Sequence, residues 1–316
     1  MIAALALQGA QMALVLLLAP LLTGFVRTAK ARLLRRRGPS PIQPYRDLRR
    51  LFGKEAIVAD SASWLFRAAP YLIFAATWVA AALVPSFATG LIFSWSGDLI
   101  VITALLGLAR FAQALAGLDV GTSFGGIGTS RDVMIAAMAE PALIMVVFII
   151  ALVAGSTQLS AIAETMLAGG IGLRVSLAMA LIALVIVALA ECARIPVDNP
   201  ATHLELTMVH EAMVLEYSAR HLAMIDLAAA IKLLLYASLL SCLFVPIGLA
   251  PGGSGILALL AGLAAYLVKI AALGAMLAVF EISIAKMRVF RVPGFLGAAL
   301  MLGLLGTILL FVSRSL

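Results

Sequence analysis

What limits this chain most is where its charges are not. None occurs from Met1 to Val26, none between Arg67 and Asp98, and none between Arg291 and Arg314. About 20 apolar residues suffice for a helix to cross a hydrocarbon layer roughly 30 Å thick. Inside lipid, only helices and closed barrels satisfy their own backbone groups. These runs are apolar throughout and do not alternate, which excludes barrel strands. With 316 residues, 64% hydrophobic and 12% charged, the chain reads as an all-α polytopic integral membrane protein. Eight transmembrane helices are predicted, at about 3–26, 66–88, 95–117, 131–154, 173–192, 222–247, 255–283 and 293–313. They form a single membrane domain over 1–316. No transporter-like internal repeat is visible. The first run lacks a basic stretch before it, so it reads as a retained span and not as a cleaved signal.

The net charge of +7 would suggest nucleic acid in a soluble chain. Here it reports orientation. Eleven of the 22 Lys and Arg residues fall between Arg27 and Arg67, after the first span. With alternating spans, Arg131, Arg194, Arg220, Lys286, Arg288 and Arg291 fall on that same side, while Arg174 and Arg314 fall opposite. The positive-inside rule puts both termini outside and the loops at about 27–65, 118–130, 193–221 and 284–292 in the cytoplasm. The basic excess is thereby explained without nucleic acid.

In the first loop, Gly38, Pro39, Pro41 and Pro44 break the basic extension that carries Arg35, Arg36 and Arg37. From Tyr45 to Phe52, apolar Tyr45, Leu48, Leu51 and Phe52 oppose Arg46, Arg49 and Arg50, a short amphipathic helix suited to the interface. Contact with anionic lipid explains that charge, and so does docking of a cytoplasmic partner. The stretch GLDVGTSFGGIGTSRD follows no strand, which argues against a nucleotide-binding fingerprint. Its end, Ser130-Arg131-Asp132, reads as the start of the fourth helix.

Ionisable groups at membrane depth mark pathways more often than not. Glu140 lies eight residues beyond Asp132, about 12 Å along its helix. Lys232 and Lys269 are comparably deep, and Glu281 ends the seventh span. The densest chemistry is ECARIPVDNPATHLELTMVHEAMVLEYS, residues 191–218. It holds Glu191, Asp198, Glu205, Glu211 and Glu216, a third of the 15 acidic residues, with Arg194, His203 and His210. A solvated loop would explain the charges, but Leu204, Leu206, Met208, Val209, Met213, Val214 and Leu215 supply an apolar face. The two histidines suit titratable members of a proton path, or hydrogen bonding at a span end. His210-Glu211 lacks the second histidine of a zinc motif, and His203 lacks the cysteine pair of a deaminase. Cys192 and Cys242 form no C-x-x-C, so the chain ligates no iron–sulfur cluster alone.

ARLLRRRGPSPIQPYRDLRRLFGKE, GLDVGTSFGGIGTSRD with Glu140-Pro141 downstream, the 191–218 stretch, and VKIAALGAMLAVFEISIAKMR carry a family resemblance over nearly the whole chain. It resembles the membrane subunit shared by complex I, as the H-type component of NADH–quinone oxidoreductase, and by group 4 energy-converting nickel–iron hydrogenases. It is more similar to the formate hydrogenlyase subunit 4 and hydrogenase-4 component C type. Complex I subunits read P-F-D-L-P-E-x-E-x-E-L-V where this chain reads P-V-D-N-P-A-T-H-L-E-L, so one acidic position is missing and His203 is gained.

The resemblance implies a non-catalytic coupling subunit in a bacterial inner membrane. It implies partners: hydrogenase large and small subunits, antiporter-like membrane subunits, and membrane lipid. Nickel–iron and iron–sulfur centres would reside in those partner subunits, with none in this chain and quinone left open. It implies a proton or sodium path through Glu140, Glu191, Asp198, Glu205, Glu211, Glu216, His203, His210, Lys232, Lys269 and Glu281. Docking would fall to Arg35, Arg36, Arg37, Arg46, Arg49, Arg50 and Arg194. Two alternatives stand beside this: the quinone-chamber subunit of complex I, and a stand-alone ion transporter.

Overall fold

The computed structural model describes residues 2–168, 175–194, 208–284 and 291–315. The described chain forms α1 (Ile2–Leu33), α2 (Gln43–Phe52), α3 (Trp64–Leu83), α4 (Leu99–Asp119), α5 (Ser123–Ala154) and α6 (Leu159–Leu167). It continues as α7 (Val175–Glu191), α8 (His210–Val214), α9 (Ala219–Phe244), α10 (Ile256–Ser283) and α11 (Val292–Ser315). Seven of these, α1, α3, α4, α5, α9, α10 and α11, are long and apolar enough to cross a membrane. The eighth expected span is α7, an apolar helix with 17 described residues. The short helix of the first loop is α2, with Arg46, Arg49 and Arg50 exposed and Tyr45, Leu48 and Leu51 half-buried.

Helix ends follow local chemistry. The Ser63 hydroxyl accepts from Leu65 N–H at 3.1 Å to cap α3, and the Asp98 carboxylate accepts from Ile100 N–H at 2.7 Å to cap α4. Lys30 and Arg32 in the last turn of α1 complement the negative end of its dipole. Gly155, at φ 72, closes α5 in the left-handed region that glycine enters freely.

The fourth membrane helix starts earlier than expected. The Thr122 hydroxyl accepts from Gly125 N–H at 3.2 Å, so α5 begins at Ser123 and not at Ser130. Ser130, Arg131 and Asp132 therefore lie within the helix, and Asp132 is 1% exposed. Two of the glycines that looked like a loop, Gly125 and Gly128, are helical with neighbouring backbone where their side chains would stand. A Cβ on Gly128 would stand 2.9 Å from the Val209 carbonyl oxygen, which belongs to the segment entering α8.

The centre of the bundle is α9, with 72% of its most apolar stretch buried, against 17% for the peripheral α10. Around α9 stand α1, α2 and α3. The α3–α4 pair packs closely, and α11 lies against α5 and α7. At one end, the Gln11 side-chain amide donates to the Ala82 and Val84 carbonyls at 2.9 and 2.6 Å, occupying the open end of α3. On that side Thr89 N–H and Ala250 O pair at 2.9 Å, tying the α3–α4 connection to the α9–α10 connection.

At the other end, Phe66 and Tyr217 stack with ring centroids 3.9 Å apart, and the Tyr217 hydroxyl donates to the Phe66 carbonyl at 3.0 Å. Burial, with Asp119 nearby, pushes the Tyr217 phenol above its ordinary range, so it stays a neutral donor. The Ser218 hydroxyl bridges the backbone of Ile57, accepting from its N–H at 3.0 Å and donating to its carbonyl at 2.8 Å. These contacts hold the segment between α2 and α3 against the start of α9.

Candidate functional site

Five helices bring charge to one point. Arg110, 7% exposed on α4, is its centre. Its guanidinium is in contact with a Glu191 carboxylate oxygen at the end of α7. It also lies 3.6 Å from Asp132 and 3.7 Å from Glu140, both on α5. Asp132 and Glu140 are eight residues apart on α5, about 12 Å along its axis, and both lie within 4 Å of the one long arginine. The second Glu191 oxygen accepts from Lys232 Nζ of α9 at 2.7 Å. His210 Nδ1 of α8 stands 3.5 Å from the free side of Asp132.

Such a cluster persists in an apolar bundle only because its members compensate one another. A lone charge at the centre of a membrane helix costs about 2.5–3.5 kcal/mol on the lenient scales. Counting the six groups, three carboxylates face two fixed cations and one imidazole. The sum is one negative charge with His210 neutral, and zero once a single proton joins the group.

The cluster forms one wall of a cavity of about 380 Å³ enclosed by α1, α2, α3, α4, α8 and α9. Its lining continues through Arg27 on α1, Asp47 on α2, Glu211 on α8 and Asp226 on α9. The chamber thus joins the buried ion pairs to the end of the bundle where α2 lies. Glu140, the other carboxylate of α5 near Arg110, is not part of the cavity lining, and its side chain is 47% exposed. A second group stands at the rim. Glu281, 9% exposed on α10, pairs with Lys30 of α1 at 3.0 Å and with Arg194 at 3.2 Å.

The structure brings together Glu140, Glu191, His210 and Lys232, and it sets Glu211 and Arg194 on the chamber wall. Glu281 belongs to the rim group, and Glu216 is exposed in the turn before α9. Asp198, His203 and Glu205 lie outside the described residues. Arg35, Arg36 and Arg37 are exposed beyond the end of α1, on the same side as α2.

Lys269 lies apart from the cluster. Its Nζ donates to the Val245 carbonyl at 2.9 Å, at the C-cap of α9, where a cation complements the helix dipole. A Lys269→Met chain should therefore lose about 1 kcal/mol of stability. Thermal inactivation checks this, and an unchanged midpoint would show that the contact with Val245 does not stabilise the end of α9.

Sequence reasoning missed Arg110 and Asp226, both charges inside predicted spans, and took Asp132 for a helix start. The rule that flagged Glu140 and Lys232 applies equally to those two and would have found them.

Comparisons with known proteins agree with this architecture. The family model described as NADH dehydrogenase matches residues 7–312. Hydrogenase-4 component C of Escherichia coli is 36% identical over 88% of this chain and 87% of its own length. Formate hydrogenlyase subunit 4 of the same organism is 33% identical over 87% of this chain and 88% of its own. The H-type component of NADH-quinone oxidoreductase from Rhodospirillum rubrum is 27% identical over 68% of this chain and 66% of its own. Among solved structures, a chain of the membrane-bound sulfane sulfur reductase, an archaeal respiratory membrane complex, superposes with a TM-score of 0.82. It does so at 21% identity, covering 97% of this chain and 99% of that one, a likeness of fold.

Proposed function

This chain belongs to the NADH dehydrogenase family of membrane subunits, and from that premise we propose that it is the anchoring and energy-coupling subunit of a membrane-bound nickel–iron hydrogenase complex. Its relatives are subunits of respiratory-type membrane complexes. In this reading the complex is formate hydrogenlyase-like and lies in a bacterial inner membrane with both termini of the chain outside. The exposed arginines beyond α1 and on α2 hold the soluble large and small subunits, which carry the nickel–iron and iron–sulfur centres. Antiporter-like subunits adjoin the chain within the membrane.

One observation carries the coupling role. A continuous set of ionisable groups runs from the chamber, through Glu191 and Arg110, to Glu140 outside its lining. The group is one proton short of neutrality while His210 is uncharged, so a proton arriving from the chamber finds carboxylates and an imidazole to share it. A change in charge at the docked module would bias that occupancy and pass outward through Glu140. Protonation in this scheme is a change of population among coupled sites, not a property of one residue.

Glu191→Gln and Glu140→Gln test the reading, since each keeps the side chain's shape and removes its titratable proton. Proton uptake in proteoliposomes should fall by about tenfold or more in both. Hydrogen turnover with an artificial electron donor should stay near wild type. Full uptake in both variants would end the proposal.

A further inference from the structure

One buried group beside the cluster has no part in the ion pairs. Tyr236 stands one helical turn beyond Lys232 on the same face of α9. It is 2% exposed and among the largest fully buried side chains of the chain. Its hydroxyl has no hydrogen-bond partner among the described residues. A phenylalanine would fill the same space without a polar atom, so packing alone does not call for the oxygen. Its electrostatic neighbours are Glu191, Cys192, Arg110 and Glu140, which include the two carboxylates between which a proton would have to pass.

Tyr236 is not the only orphan there. Arg110 Nε and both carboxylate oxygens of Asp132 are also buried without a hydrogen bond among the described residues. The distances of 3.6 Å from Arg110 to Asp132 and 3.7 Å to Glu140 exceed direct hydrogen-bond length. Buried polar groups in folded proteins almost always find a partner, from protein or from ordered water. An internal water makes about three hydrogen bonds to such groups and needs both donors and acceptors around it. Here a phenol, a guanidinium and carboxylates supply both kinds within one neighbourhood.

We infer that Tyr236, Arg110 and Asp132 hold a file of ordered water between Glu191 and Glu140, in which the Tyr236 hydroxyl positions the water that carries the proton onward. The step balances at each oxygen. Protonated Glu191 releases its proton to the file, every oxygen accepts one proton and gives one up, and Glu140 takes the last. Tyr236 begins and ends neutral, so it acts as a positioning residue. The inference rests on the proton path proposed above and adds the site that closes its middle section.

The experiment uses the complete complex in proteoliposomes. Tyr236→Phe should lower proton uptake per hydrogen turned over about tenfold, with donor-driven turnover and assembly unchanged. 3-Fluorotyrosine placed at position 236 keeps the ring, the hydroxyl and the fold. It should restore most of the uptake lost to phenylalanine, with an altered solvent deuterium isotope effect. Wild-type uptake in Tyr236→Phe overturns the inference. Should the phenylalanine chain fail to assemble, the fluorotyrosine chain decides, and an unaltered isotope effect overturns it. The glutamine variants separate the two readings. If they lose uptake while Tyr236→Phe keeps it, only the water file falls; if they too keep it, the path falls as well.

Discussion

An Arg110→Met chain is expected to be nearly absent from the membrane as a folded subunit. The substitution leaves three carboxylates, Asp132, Glu140 and Glu191, around an apolar side chain, with only Lys232 and His210 to offset them. Removing one partner of a buried ion pair costs about 3–5 kcal/mol, because the remaining charge is left in low dielectric. Whole domains are stable by only about 5–15 kcal/mol, so this one change takes a large share. Arg110→Lys should fall between, since a lysine keeps the charge but cannot address several carboxylates through a planar fork. Abundance in detergent extracts and thermal inactivation measure the effect. Wild-type abundance with a melting temperature within about 2 °C would show that Arg110 is not the keystone of the cluster.

Gly128→Val should separate position from charge. The added Cβ would meet the Val209 carbonyl oxygen and the Ala212 Cβ, each at 2.9 Å, so α8 must move. Overpacking of this kind costs about 1–3 kcal/mol. More telling is what α8 carries: His210 beside Asp132, and Glu211 on the chamber wall. Under the proposed coupling role, proton uptake should drop severalfold while donor-driven hydrogen turnover persists, because no group of the ion-pair cluster has been removed. The paired uptake and turnover assays read this directly. Unchanged uptake would mean that the register of α8 does not matter to the path.

How legible this site was depended on the residue. Long apolar runs announce membrane helices whatever they pack against, so all eight expected spans are found as apolar helices, seven of them long enough among the described residues to cross a membrane. The start of α5 could not, because glycine signals a turn unless a neighbouring backbone needs the space, and Val209 is about 80 residues away in sequence. Glu140 and Lys232 stood out as charges at depth. Arg110 is one too, yet its importance comes from convergence: only the packing of α4 against α5 and the approach of α7 place three carboxylates around it. Lys269 shows the converse. It looks the same in sequence, but the end of α9 supplies a backbone carbonyl, and the charge is satisfied locally.

The reach of a single guanidinium has an electrical consequence. Arg110 touches Glu191 and lies 3.7 Å from Glu140, so the two interacting carboxylate oxygens are less than about 9 Å apart across its rigid fork. The hydrocarbon layer is roughly 30 Å thick, and a full crossing works against about 2.3 kcal/mol per 100 mV. In a uniform field, a proton moved between these two carboxylates therefore traverses at most about a third of the membrane potential, whatever the tilt of the bundle. At 100 mV its work is below about 0.8 kcal/mol, close to thermal energy. Transfer through the cluster would stay nearly indifferent to membrane voltage, leaving the voltage-sensitive displacement to whatever lies beyond Glu140.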